Sequence, residues 1–141
     1  MTSVLTPADT ERIVRAATEV RERAHAPYSG YRVGAALLTD DGRVFTGCNV
    51  ENASYGLSVC AERHAVAAAV AAGATSYAAL AVVTSSSPPA SLCGACRQVL
   101  AEFGDLEIVL ANPAGERLTT SLTELLPDAF GPHRLRGSAR S

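Results

Sequence analysis

The chain contains no lysine: all 12 basic residues among its 141 are arginine. Schiff-base chemistry and a phosphate-binding P-loop lysine are both excluded. Charge is scarce, 18% of residues against 48% apolar, with a net charge of −2. So apolar a chain is not intrinsically disordered, and the small negative balance offers no bulk positive field to a nucleic-acid backbone. No apolar run reaches the roughly 18 residues that span a bilayer, and the opening MTSVLTPADTER lacks the basic-then-apolar layout of a secretory signal. A soluble, cytoplasmic protein with no nucleic-acid or membrane partner is expected. There is no internal repeat and no linker, and the length suits one domain with one core.

Four cysteines stand out: Cys48, Cys60, Cys93 and Cys96. In a secreted chain an even count suggests disulfides. In a reducing cytosol the same residues read as metal ligands, catalytic thiols or plain buried side chains.

Thr6-Pro7-Ala8-Asp9 supplies a capping hydroxyl, a first-turn proline and an acid at the positive end of a helix, and apolar spacing predicts that helix over 7–25. Val33–Thr39 and Arg43–Cys48 read as strands joined by the turn Asp40-Asp41-Gly42. The alanine-rich stretch Cys60–Ala72, closed by Gly73, predicts a second helix. Leu80–Val83 reads as a buried strand and Ser85–Ser91 as a loop. A third helix is expected over 94–103, then strands at Ile108–Ala111 and Arg117–Thr119 and a short helix at Leu122–Leu126. The order implies an α/β fold, a three-layer α-β-α sandwich around a mixed five-stranded sheet. Residues 1–131 are expected to form the domain and 132–141 a loose, solvated tail carrying Arg134, Arg136 and Arg140. The helices beginning at Cys60 and Cys93 would point their N-termini at one end of the sheet, where α/β proteins place ligands.

Cys93-Gly94-Ala95-Cys96 at a helix start brings two thiols to one point, and Cys60 opens another helix. Helix N-termini favour thiolate, the form that binds metal. Three thiolates with a free fourth position suit catalytic zinc, and soft sulfur favours zinc over magnesium or calcium. Glu62, two residues after Cys60 in the first turn of that helix, leans toward that point and can carry a proton to and from metal-activated water. Three thiolates on one Zn²⁺ leave a net negative cluster, so Arg63 and Arg97, each beside a ligand, are expected to donate to sulfur. Two blander readings stay open. His64, four residues after Cys60, could complete a closed structural Cys₃His site, and Cys93 with Cys96 could be a redox pair.

Ala26-Pro27-Tyr28-Ser29, Val33-Gly34-Ala35-Ala36-Leu37, Asn49-Val50-Glu51-Asn52-Ala53-Ser54-Tyr55, Cys60-Ala61-Glu62-Arg63, Cys93-Gly94-Ala95-Cys96-Arg97-Gln98-Val99 and Leu125-Leu126-Pro127-Asp128-Ala129-Phe130 together resemble the small, homotetrameric, zinc-dependent cytidine deaminases. The Cys-x-Glu and Cys-x-x-Cys pairing is a known pattern of zinc nucleobase deaminases. The resemblance implies one zinc ion per subunit on Cys60, Cys93 and Cys96, with Glu62 as proton shuttle. It places Asn49 and Glu51 on the ribose and Tyr31, where the family usually has phenylalanine, against the pyrimidine. It also implies that Tyr55 and Ala61 contribute to the substrate site and that Phe130 reaches a neighbouring subunit's site. The implied reaction is hydrolysis at C4 of cytidine or deoxycytidine, releasing ammonia. A carboxylate and a carboxamide two residues apart suit vicinal sugar hydroxyls, and with no phosphate loop or lysine a nucleoside is favoured over a nucleotide. A deaminase of another cytosine nucleoside, such as a blasticidin-type antibiotic, and a structural zinc interaction module are the alternatives. Leu92 stands where the family generally has proline, so a looser loop into Cys93 is expected. Cys48 is expected to be a small buried side chain near the site.

Overall fold

Thr6 caps the first helix as its side chain suggests: its hydroxyl accepts from the Asp9 amide at 3.0 Å, and the Asp9 carboxylate accepts in turn from the Thr6 amide at 3.3 Å. The computed structural model describes residues 5–135. Its elements in chain order are α1 (Pro7–Arg21), β1 (Gly34–Thr39), β2 (Val44–Cys48), α2 (Ala61–Ala71), β3 (Tyr77–Val83), α3 (Gly94–Ala101), β4 (Glu107–Ala111), β5 (Arg117–Ser121) and the one-turn α4 (Leu122–Leu125). Short 3₁₀ turns lie at Tyr55–Leu57 and Pro132–Arg134.

The strands form one sheet in the order β2-β1-β3-β4-β5. β1 runs antiparallel to both its neighbours, β3 and β4 are parallel, and β4 and β5 are an antiparallel hairpin. Period-two alternation divides the three central strands between two apolar layers. Leu37, Leu80, Val82, Ile108 and Leu110 face α2 and α3. Ala36, Ala79, Ala81, Val83 and Val109 face Ile13, Val14 and Ala17 of α1. Small residues on that second face let α1 lie close to the sheet. At Gly34 a Cβ would stand 2.0 Å from the Ala17 carbonyl oxygen, so no larger residue fits. Each fully buried leucine or valine contributes about 1.5–3 kcal/mol.

The expected three-layer sandwich and mixed five-stranded sheet are therefore present. Several boundaries move. α1 stops at Arg21, four residues early, because the chain turns and His25 bridges to Val50, which requires extended backbone. β3 begins at Tyr77, three residues early, because Tyr77 and Ala79 pair with Thr39 and Leu38 of β1; cross-strand pairing overrides alanine's weak strand preference. α3 ends at Ala101, with Glu102 and Phe103 in the closing turn. β5 runs two residues further than expected, to Ser121, whose hydroxyl caps α4. Within the expected tail, Pro132–Arg134 form a 3₁₀ turn and Arg134 pairs with Asp128 at 2.9 Å. Arg136 and Arg140 lie outside the described residues.

Candidate functional site

Cys60 is the N-cap of α2 and Cys93 the N-cap of α3, both in extended backbone, and Cys96 sits in the first turn of α3. The two helix starts meet. The sulfurs of Cys60, Cys93 and Cys96 all lie within 4.8 Å of one another, with Cys60 to Cys93 at 3.8 Å and Cys93 to Cys96 at 3.5 Å. The Cys96 amide also points at the Cys93 sulfur, 3.5 Å away, so the positive end of α3 faces a thiol. All four cysteines are free. Three convergent soft donors fit zinc and leave one position of a tetrahedral ion for water or substrate.

Charge around the cluster is uneven. Hydrogen bonding from the Cys96 thiol, then from Arg63 and Cys93, lowers Cys60 to about 5. The Cys96 thiol is pushed well up, by its bond to Cys60, by burial and by the nearby Glu62 carboxyl. Arg63 stands against Cys60, its terminal nitrogen 3.8 Å from the sulfur, while its Nε is buried with no hydrogen-bond partner among the described residues. A guanidinium held there offsets thiolate charge. Arg63→Gln is accordingly expected to lower turnover about tenfold while bound zinc falls by less than half, measured by steady-state rate and metal analysis on the same preparation. Equal losses in both would contradict this role.

Arg97 does not join the sulfurs. Its guanidinium donates to the Leu92 carbonyl at 2.9 Å, the Leu125 carbonyl at 2.7 Å and the Ser91 hydroxyl at 3.2 Å. It pins the loop before Cys93 to the end of α4. Leu92 is 3% exposed and belongs to the core on the α2 and α3 face. Burial of Leu92 and the Arg97 bonds thus give this loop anchors that do not depend on a proline.

His64 likewise turns elsewhere: its Nδ1 lies 2.9 Å from the Cys48 carbonyl oxygen, and it is absent from the thiol cluster. The closed Cys₃His reading loses its fourth ligand. Cys48 is half-buried and not fully buried as expected.

A cavity of about 210 Å³ opens beside the cluster, lined by Cys60, Cys93, Glu62, Ala61, Asn49 and Tyr31 together with Val33, Val82, Thr84, Ala90 and Ser91. Below the roughly 300–1,000 Å³ of drug-sized pockets, it suits a single small ring. Glu62 is 5% exposed. Burial holds its carboxyl above the ordinary carboxylate value, and the Cys60 charge adds to the effect. Asn49 is fixed by backbone, its amide donating to the Tyr31 carbonyl at 2.8 Å and its oxygen accepting from the Val33 amide at 2.8 Å.

Glu51 and Tyr55 line a separate recess of about 290 Å³ with Tyr28, Ser29 and Ser58. Glu51 accepts from the Tyr28 amide at 3.0 Å, the Ser29 amide at 3.1 Å and the Ser29 hydroxyl, bonds that keep its carboxyl below the usual range. The Tyr28 and Tyr55 rings meet edge to face, 5.6 Å between centroids. Phe130 lines neither cavity. It is 60% exposed, and Gln98 fixes its carbonyl at 2.6 Å. Sequence reasoning passed over Thr84, Ala90 and Ser91, because a Ser/Pro loop carries no chemical signature of its own. Ser29 was legible only as part of a motif.

Residues 7–112 match the family model described as the cytidine and deoxycytidylate deaminase zinc-binding region. The chain is 45% identical over 133 residues to a cytidine deaminase of Sporosarcina psychrophila, covering 93% of this chain and 98% of that protein. It is 50% identical over 115 residues to a cytidine deaminase of Mycobacterium tuberculosis, covering 82% and 84% respectively. Among solved structures, a cytidine deaminase from Burkholderia pseudomallei superposes with a TM-score of 0.82 at 55% identity, covering 85% of this chain and 98% of that one.

Proposed function

The chain belongs to the cytidine and deoxycytidylate deaminase zinc-binding family, and on that premise we propose that it hydrolyses cytidine and deoxycytidine to uridine and deoxyuridine with release of ammonia. The observation that carries this reading is the buried Glu62 carboxyl lining the same ring-sized cavity as Cys60 and Cys93.

Cys60, Cys93 and Cys96 would hold one zinc ion per chain, which when bound would supply the Lewis acidity that makes water a nucleophile near neutral pH. The remaining work falls to side chains. Glu62 takes a proton from the attacking water and passes it to N3 as the oxygen bonds to C4; it then takes the remaining hydroxyl proton and delivers it to the amino nitrogen, so that the C4–N bond breaks, ammonia leaves, a C4 carbonyl forms and the carboxylate is regenerated. Burial raises the carboxyl's proton affinity, which favours its holding a proton between acceptance and delivery. Val33, Val82 and Tyr31 give the ring an apolar enclosure.

Asn49 and Glu51 retain capacity for a sugar. After its two backbone bonds Asn49 keeps one amide hydrogen and one lone pair, and Glu51 keeps a lone pair beyond its three bonds to Tyr28 and Ser29. Asn49 opens on the ring cavity and Glu51 on the separate recess, so a nucleoside with its base in the first would bring its sugar to the edge between them. Tyr55 and Ala61 complete the substrate surroundings.

The chain is also proposed to work as a homotetramer in the cytoplasm. Tyr55, Leu57 and Phe130 are 72%, 67% and 60% exposed, apolar surface that a subunit contact would cover. Phe130 would then enter a neighbour's site. Free thiols suit a reducing compartment. No helix among the described residues is long and apolar enough to cross a membrane. Light scattering should give four times the 14.6 kDa chain mass; a monomer at micromolar concentration would refute the assembly.

The functional test is ammonia release by the zinc-loaded protein from cytidine, deoxycytidine, cytosine, CMP and blasticidin S. Release from the two plain nucleosides is expected. Release from none would overturn the activity, and release from blasticidin S alone would move the substrate to that antibiotic class.

A further inference from the structure

Tyr31 lines the ring-sized cavity from the segment between α1 and β1, whereas Ala90, Ser91 and Cys93 line it from the loop between β3 and α3. Each wall is anchored to its own part of the fold. On the first, the Tyr31 carbonyl accepts from Asn49 at 2.8 Å and its amide donates to the Ser29 hydroxyl at 3.0 Å. On the second, the Ser86 carbonyl accepts from the buried Asn112 carboxamide at 3.0 Å, and the Ser87 hydroxyl donates to Glu116. Glu116 in turn is held by the Asn112 carboxamide at 2.8 Å. The Tyr31 main chain is thus fixed while its ring direction is left to its far end.

That far end reaches the β3–α3 loop at Ser86, a residue of the same loop that does not itself line the cavity. The Tyr31 hydroxyl lies 2.7 Å from the Ser86 hydroxyl, joining residues 55 apart in sequence. A phenylalanine at position 31 could not make this bond, and Ser86, whose own amide rests on the Thr84 hydroxyl at 3.2 Å, is already braced to receive it.

We propose that the Tyr31–Ser86 hydrogen bond is a latch tying together the two segments that wall the ring pocket, limiting how far they part and so confining the enzyme to a pyrimidine without added ring substituents. The latch rests on the reading of this cavity as the cytosine site. A cavity of about 210 Å³ has little spare room, and one extra methyl group against a fixed wall is the kind of difference a pocket discriminates. With the bond gone, the ring of residue 31 and the β3–α3 loop separate more easily and the pocket accepts a larger ring. Ser86 is a positioning residue here, acting through Tyr31.

The test compares kcat/KM for cytidine with that for 5-methylcytidine in the zinc-loaded wild type, Tyr31→Phe, Ser86→Ala, the double variant and Ser86→Thr. The wild-type preference for cytidine is expected to exceed about tenfold. It should fall about three- to tenfold in each single variant, the scale of one lost hydrogen bond, fall no further in the double variant, and return in Ser86→Thr, which keeps a hydroxyl. An unchanged preference in the single variants, additive losses in the double variant, no recovery in Ser86→Thr, or a wild-type preference near one would each overturn the latch. Absence of wild-type turnover on cytidine would instead overturn the deaminase reading itself.

Discussion

Replacing Glu62 by glutamine is expected to leave zinc on the protein and to lower turnover of cytidine about a thousandfold or more. The two side chains match in size and both form hydrogen bonds, so the first turn of α2 and the thiol cluster keep their arrangement. Only the ability to take and return a proton is lost, an effect of about 10²–10⁴ for a general acid–base group and largest where no water can substitute. At 5% exposure Glu62 has little access to substitute water. The same change should raise the stability of the metal-free protein. Because burial lifts the folded-state carboxyl above its unfolded value, ionising it costs more in the folded state than in the unfolded one. Protonated at low pH, the wild type bears no such cost. As pH rises from the ordinary carboxylate range through the raised value, the wild type loses stability and the glutamine variant does not. Melting temperatures of the two metal-free proteins should therefore diverge with rising pH, the variant higher. A rate within tenfold of wild type would remove Glu62 from the mechanism.

Gly47→Ala is expected to rank with Gly34→Ala among the most damaging single methyl additions in the fold, and it is the one that strikes the helix bearing the site. A Cβ at position 47 would lie 2.4 Å from the Ala61 carbonyl oxygen and 2.5 Å from the Ala65 amide nitrogen, both backbone atoms of α2. Neither can swing aside as a side chain does; the helix itself must move off β2. Overpacking costs about 1–3 kcal/mol where side chains can yield, and more is expected here. A loss of about 3 kcal/mol would lower the melting temperature by roughly 10 °C in a domain this size. Because α2 carries Cys60 and Glu62 at its start, zinc affinity should weaken in the same variant. A melting temperature within about 2 °C of wild type, with zinc still tight, would show that α2 is not seated as described.

The thiol cluster was legible in the sequence because its geometry is nearly local: Cys93 and Cys96 share one helical turn, and Cys60 begins the other helix whose start faces the same sheet end. Layer order followed from the alternation of helix and strand patterns, and the turn at Gly73, φ +85°, from a glycine after an alanine run. What escaped depends on contacts far apart in the chain. Arg97 adjoins a ligand yet bonds to Leu92 and Leu125, since adjacency along a helix does not determine where a long side chain reaches. His64 shares the Cys60 helix but is claimed by a carbonyl of β2. The Tyr31–Ser86 bond has no local signal at all.

Metal-free protein titrated with zinc, with ammonia release from cytidine followed at each addition, tests the central claim most directly. Turnover should start near zero, rise in proportion to added zinc and level off at one ion per chain, the capacity of the single three-thiol cluster found among the described residues. Full activity before zinc is added, or zinc bound at one per chain without any turnover, would contradict it.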